Sequence, residues 1–242
     1  MQNKKKIFLV LGGYGNRLII YSHIKNLKNT SNTEISIIFH KDCNASEKEP
    51  LETLNLNCPI NLKKDIFAYY LYVFFNRIKF RKFYFKFLES LFGEICIGYF
   101  QDKNLFAKEL MNFNTHSKLE FNSKYPKDVI FIHVRRGDYY TDRFVKLYGG
   151  ICTFDYYTNA LKLMLSKSPN LKQSIVIITD DPSWVSKNIK FKEMIIHESE
   201  SYLEDWFLMK NSNNLIISNS TFSLTAAWAG NVNNVFYPSK WD

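Results

Sequence analysis

This chain has no CxxC pair and no Cys/His set at zinc spacing; Cys43, Cys58, Cys96 and Cys152 stand far apart. The pattern excludes a zinc module and predicts four reduced, partly buried thiols in a cytosolic setting. Long apolar runs are missing as well. IFLVL at 7–11 is shorter than the ~7–15 residues of a signal-peptide core. IFAYYLYVFFN at 66–76 falls well below the ~20 residues that span a bilayer. Acidic residues are in deficit, 23 against 32 basic, for a formal charge of +9. Such a balance points to anionic partners, whether nucleic acid, an anionic membrane surface or a phosphorylated small molecule, without choosing among them. GxSxG, HExxH, GxxxxGK[ST] and readable pairs of glycosidase carboxylates are all absent, so none of those chemistries has a motif here.

What is present is apolar and aromatic. Of 242 residues 46% are hydrophobic, with 21 Phe and 15 Tyr, enough to build a real core and exclude global disorder. IFLVLGG (7–13) reads as a strand, followed by a helix from Asn16 to about Lys28 and a second strand at 35–40; residues 41–64 read as connection. The stretch 66–92, dense in Phe and Tyr and basic from Arg77 to Lys86, reads as helix. It suits either packing on a sheet with its lysines turned outward or lying on an anionic membrane surface. RNA stacking is the weaker option, because no RNA-binding module surrounds it.

GEICIGYFQDKNLF (93–106) gives a short strand and a helix start, and the polar stretch 112–128 reads as a hinge. Two α/β domains follow from this, 1–125 and 126–242. In the second, strands at DVIFIHVRR, 174–181, 194–199 and 214–220 alternate with helices at 154–167, after Pro182, at 202–211 and at 221–230. That alternation predicts an open, mostly parallel sheet whose ligands sit beyond the strand ends.

Three of those strand ends carry polar clusters. HVRRGDY (133–139) sets Arg135 and Arg136 after a buried strand, and their fixed forks of N–H donors suit phosphate or carboxylate. Asp138 can pair with an arginine or act as a base. TDDPSW places Asp180 and Asp181 before a helix start, where they can cap it, meet a ribose or base edge, or hold a metal, although no further carboxylate pattern supports a metal. ISNSTFS presents Ser220 and Thr221 at another helix start, an anion site or an ordinary N-cap. In the first half, LGGYGN (11–16) is a glycine-rich turn that matches GxGxxG only in part. It implies close backbone approach to a ligand near Gly13, Asn16 and Arg17.

HVRRGDY, TDDPSW and SNSTFS, in that order, resemble the bacterial α-1,2-fucosyltransferases of glycosyltransferase family 11. So do GGYGNRLIIYS (12–22), GYFQDKNLF (98–106), YYTNA (156–160) and LMKNSNNLIISNSTFSLTAAWAG (208–230). The resemblance covers nearly the whole chain. It implies a GT-B-like α/β fold of two Rossmann-like domains with mostly parallel sheets facing a cleft, the first on the acceptor side and the second binding the nucleotide sugar. It also implies inverting transfer of L-fucose from GDP-β-L-fucose to a glycan hydroxyl, a galactoside 2-OH above all, with no required cofactor or metal.

On that picture Arg135 and Asp138 are catalytic. His133, Arg135, Arg136, Ser220, Thr221 and Phe222 meet the diphosphate. Asp180 or Asp181 meets the guanine or its ribose, and Gly13, Asn16 and Arg17 face the donor sugar and acceptor. The implied acceptor is a glycan or lipid-linked oligosaccharide, at the cytoplasmic face of the inner membrane. Arg17, Ile19 and Ile20 stand where the family usually has Gln, Phe and Gln, and Leu224 and Thr225 where it has two Trp. The chain also stops at YPSKWD, earlier than its relatives. These departures bear on acceptor and sugar identity. Another nucleotide sugar, or a non-catalytic basic module for RNA or anionic membrane, are the competing readings.

Overall fold

The structure is a computed structural model that describes residues 5–39, 63–75, 81–103, 106, 125–126, 128–168, 171, 174–230 and 232–241. Cys43, Cys58, most of the 41–64 connection and most of the 112–128 hinge lie outside the described residues; Cys96 and Cys152 are buried free thiols. The chain divides into two compact units, Met1–His116 and Ser117–Asp242. Each carries a parallel sheet, as a GT-B-like pair of α/β domains requires.

In the first unit β1 (Lys5–Val10) lies between β2 (Glu34–Phe39) and β3 (Glu94–Cys96), all parallel. Ile7, Phe8, Leu9 and Val10 are each at most 5% exposed. A central parallel strand is covered on both faces, which explains why IFLV runs apolar without alternation. Helix α1 (Tyr14–Thr30) begins two residues before the expected Asn16, with Gly13 as its N-cap. The glycine turn makes this early start possible. Gly12 has φ of +82°, and a Cβ there would meet the Asn16 side chain at 2.7 Å. The buried face of α1, with Leu18, Ile20, Tyr21 and Ile24, packs within this unit's interior.

The aromatic stretch expected as a single helix forms two, α2 (Lys63–Phe75) and α3 (Arg81–Phe92). Tyr69 and Phe92 pack against Ile7, Leu9 and Ile38 of the sheet. Phe67, Tyr70, Phe74, Phe87 and Leu91 remain more than half exposed. The segment therefore does pack on the sheet, as one reading held, and still presents an aromatic face to solvent. No helix of the described residues is long and apolar enough to cross a membrane.

The second unit holds five parallel strands in the order β6-β5-β4-β7-β8. They are β4 (Ile130–Val134), β5 (Ile175–Thr179), β6 (Met194–Ile196), β7 (Asn214–Ile216) and β8 (Asn234–Phe236). Among the described residues the connections hold five α-helices, α4 (Val145–Tyr148), α5 (Phe154–Lys167), α6 (Pro182–Asn188), α7 (Tyr202–Lys210) and α8 (Thr221–Ala229), besides a single 3-10 turn at Gly137–Tyr140. The core gathers Ile130, Ile132 and Val134 of β4 with Ile177, Ile216, Tyr157 and Met164. The chain steps outward from β4 through β5 to β6, then returns to the other side of β4 as β7. This reversal opens a topological switch point between the ends of β4 and β7, where such sheets bind ligands.

Two details differ from the sequence expectation. β8 is a strand of three residues, too short to show a period in the sequence. β7 ends at Ile216 rather than Ser220, because Ser218–Ser220 turns back on itself through the Ser220 N–H to the Ser218 carbonyl, 2.8 Å.

Candidate active site

β4 delivers His133 to the interior and Arg135 to the rim. His133 is 5% exposed, and its Nδ1 lies 2.9 Å from the hydroxyls of both Ser218 and Ser223. Burial, reinforced by the Arg135 charge, pushes its pKa down to about 3. The ring is thus a neutral strut between β4 and the Ser218–Ser223 turn, with Phe222 packed at 5.7 Å.

The two arginines are held differently. Arg135 Nη2 donates to Asp138 at 2.6 Å, while Nη1 pairs with Asp180 at 2.9 Å. Its side chain is one-third exposed, and a guanidinium with five N–H donors keeps some for a ligand after those two contacts. Arg136 is clamped. Its guanidinium lies 3.7 Å from the Tyr140 ring centroid and 3.8 Å from that of Trp184. Its Nε donates to Asp181 at 3.3 Å and its side chain is 14% exposed. Stacking of this kind fixes a planar cation strongly. Asp138 therefore pairs with Arg135, and Arg136 is anchored by two aromatic rings and Asp181.

Asp180 joins the two arginines, accepting the Arg136 backbone N–H at 2.8 Å as well as pairing with Arg135. Asp181 caps α6, its Oδ1 accepting the Trp184 N–H at 3.0 Å. Gly137 makes room for this network, since a Cβ there would stand 2.5 Å from Asp180 Oδ2. Gly137→Ala should therefore push Asp180 off Arg135 and lower turnover roughly 10–100-fold, as ångström-scale misplacement does. Steady-state kinetics beside a thermal melt checks this, with the melt expected to move little.

Across the switch point, Ser220 caps α8, its hydroxyl accepting the Phe222 N–H at 3.3 Å. No acidic residue occupies the first turn of α8, so the positive end of the helix is left for an anion. Asn219 braces the turn. It is 2% exposed, its Nδ2 donates to the carbonyls of Tyr148 and Trp241, and its own carbonyl accepts the Tyr139 hydroxyl at 3.1 Å. Burial pushes the Tyr139 phenol up to about 12, and its ring lies 5.5 Å from the Arg135 guanidinium.

Arg135, Arg136, Asp138, Asp180, Asp181, Ser220, Thr221 and Phe222 thus all belong to one rim of the second unit, whereas His133, expected beside the diphosphate, lies buried beneath it and braces the turn. Gly13, Asn16 and Arg17 sit at the corresponding rim of the first, after β1. There Gly13 is exposed with open space about it, Asn16 is half-buried, and Arg17 is 3% exposed. Sequence reasoning missed Tyr140, Trp184, Gly137, Ser218, Asn219 and Ser223. All six lie inside or beside the quoted motifs, but only the folded contacts give them a task. Among the described residues no group of three or more His, Cys, Asp or Glu could hold a metal ion.

The family model described as Glycosyl transferase family 11 matches residues 61–236. The chain belongs to glycosyl transferase family 11. Two curated Escherichia coli relatives bear on it. The O-antigen biosynthesis glycosyltransferase WbnK is 31% identical over 46% of this chain, a match that spans only 38% of WbnK. An alpha-1,2-colitosyltransferase is 25% identical over 95% of this chain and 90% of its own length. Among solved structures, the fucosyltransferase NodZ from Bradyrhizobium shares the fold, with a TM-score of 0.53 at 12% identity, covering 93% of this chain and 92% of NodZ. The family 11 match takes in both arginines, the two aspartates and the Ser220–Phe222 turn.

Proposed function

We propose that this family 11 chain is an inverting glycosyltransferase that moves an L-sugar, L-fucose first of all, from a GDP-linked donor to a glycan hydroxyl. One observation carries the reading: a guanidinium fixed by two carboxylates stands across the switch point from a helix start without acidic residues. A sugar diphosphate develops negative charge as it leaves, and fixed donors stabilise that charge without reorganising.

The acceptor hydroxyl attacks the anomeric carbon of GDP-β-L-fucose. The bond to the diphosphate oxygen breaks with its electron pair, the hydroxyl proton is released, and an α-linkage results. Arg135 meets the departing diphosphate, together with the N-terminus of α8 and Thr221. Asp138 and Asp180 position Arg135; Asp181 and the two rings hold Arg136 beside it. Gly13, Asn16 and Arg17 are the proposed acceptor-side residues, and a galactoside 2-OH is the proposed acceptor group. This reading calls for no metal or other cofactor.

The colitosyltransferase relative, aligned over 95% of the chain, favours a second donor, GDP-colitose. A panel of nucleotide sugars decides: GDP-fucose or GDP-colitose should raise the melting temperature and be turned over. A clear preference for a UDP-sugar would overturn the proposal. The exposed Phe67, Tyr70, Phe74, Phe87 and Leu91 support peripheral contact with an anionic membrane from the cytoplasmic side, where a lipid-linked acceptor is held. Absence of co-sedimentation with anionic vesicles at low salt would refute that contact.

A further inference from the structure

A cavity of about 510 Å³ in the second unit takes no part in the proposed transfer. It lies between the α4 end and the chain after β8, and its volume is within the ~300–1,000 Å³ usual for small-molecule sites. Leu147, Pro238 and the ring of Tyr156 supply an apolar floor; Lys146 and Lys240 line it with positive charge, and none of its lining residues is acidic. Among the described residues neither lysine is held in an ion pair, whereas Lys5 and Lys6 of the other unit are.

The cavity also shares a bracket with the Ser218–Ser220 turn. Asn219 Nδ2 donates to the Tyr148 carbonyl at 3.3 Å, beside one wall, and to the Trp241 carbonyl at 3.2 Å, beside the other. The floor residue Tyr156 donates its hydroxyl to the Ile217 carbonyl at 2.5 Å. An occupant of the cavity would therefore sit next to the turn that leads into the start of α8, which the proposed function assigns to the donor diphosphate.

We propose that this cavity binds an anionic sugar residue of the acceptor, carrying a carboxylate or a phosphate; its identity as acceptor rests on the glycosyltransferase reading. A bare anion would leave the apolar floor unused, and a purely apolar ligand would desolvate two ammonium groups without compensation. A charged pyranose satisfies both, its C–H face on Tyr156 and Pro238 and its oxyanion between the lysines.

The test is a ligand-observed NMR titration of the full chain with methyl glucuronide, glucose 6-phosphate, methyl glucoside and inorganic phosphate, with GDP affinity measured on the same samples. At least one sugar anion should bind about tenfold or more tighter than methyl glucoside, as expected for charge-assisted contacts. Lys146→Ala with Lys240→Ala should erase that preference, and the paired arginine substitutions should keep it. GDP affinity should stay unchanged in both variants. The proposal is overturned by a parent protein that does not discriminate charge, by a preference that survives the double alanine change, or by inorganic phosphate binding as tightly as the sugar anions. Failure of the parent to bind GDP would instead refute the glycosyltransferase reading, leaving any lysine-dependent sugar binding in place.

Discussion

Arg135→Ala is expected to lower sugar transfer roughly 100-fold or more, the magnitude seen when a preorganised donor to a developing negative charge is removed. The expectation rests on how the side chain is held. Asp138 and Asp180 take one N–H from each terminal nitrogen, at 2.6 and 2.9 Å, so the guanidinium is oriented before any ligand arrives. Loss of the side chain removes the proposed charge opposite α8 and strands two carboxylates at the same rim. The effect should fall mainly on kcat, because the interaction strengthens as the diphosphate departs. Lysine at 135 should rescue only in part, since a single ammonium cannot reproduce the fork that bridges both carboxylates.

Asp138→Asn separates two tasks for this carboxylate. If it positions Arg135, turnover falls less than in Arg135→Ala and the pH–rate profile keeps its shape. Loss of the acidic limb of that profile would identify Asp138 as the base. Full activity in Arg135→Ala would remove the proposed leaving-group role altogether.

Acidification should destabilise the second unit through His133, by on the order of 4 kcal/mol between pH 6.5 and about pH 3. The ring is buried against Ser218 and Ser223, and burial together with the Arg135 charge lowers its pKa from 6.5 to about 3. Between those values the unfolded chain binds a proton that the folded chain refuses. Stability therefore rises with pH through this window, is fully present above pH 6.5 and is lost as pH falls. The size follows from about 1.4 kcal/mol for each pH unit.

His133→Asn sets an amide where Nδ1 stands and removes the titration. Urea unfolding of parent and variant at pH 7.5, 6, 5 and 4 should show their stabilities converging as pH drops. Comparison in the same buffers cancels other shifted groups, such as His23, which burial also lowers, and Asp205, which burial raises. Parallel pH dependence in the two proteins would contradict the strut assignment.

Much of this protein was determined by local sequence. Apolar runs such as IFLV, closed by a glycine turn, and IFIHV, with polar residues directly after it, specify parallel strands covered on both faces and a rim at their ends. Thr153, Asp181, Ser201 and Ser220 specify helix starts by offering side-chain oxygens to the first-turn N–H groups. These effects act over a few residues, so composition and spacing reveal them. The family motifs, being contiguous, were legible for the same reason.

Tertiary structure decided what each polar residue does. Nothing local could say that Asp138 takes Arg135, that Tyr140 and Trp184 enclose Arg136, or that Asn219 ties Tyr148 to Trp241. The Trp184 and Asp180 contacts and the Asn219–Tyr148 contact close over 40 or more positions of chain, and the Asn219–Trp241 contact over 22; they exist only because the strand order turns back at β4 and sets β5 and β7 on either side of it. The short β8 and the division of the aromatic stretch into α2 and α3 escaped for the complementary reason. Three residues carry no period, and a stretch apolar nearly all round does not show where its helix breaks. Sequence placed the charges on one rim, and long-range packing alone chose which arginine is clamped and which keeps donors for a ligand.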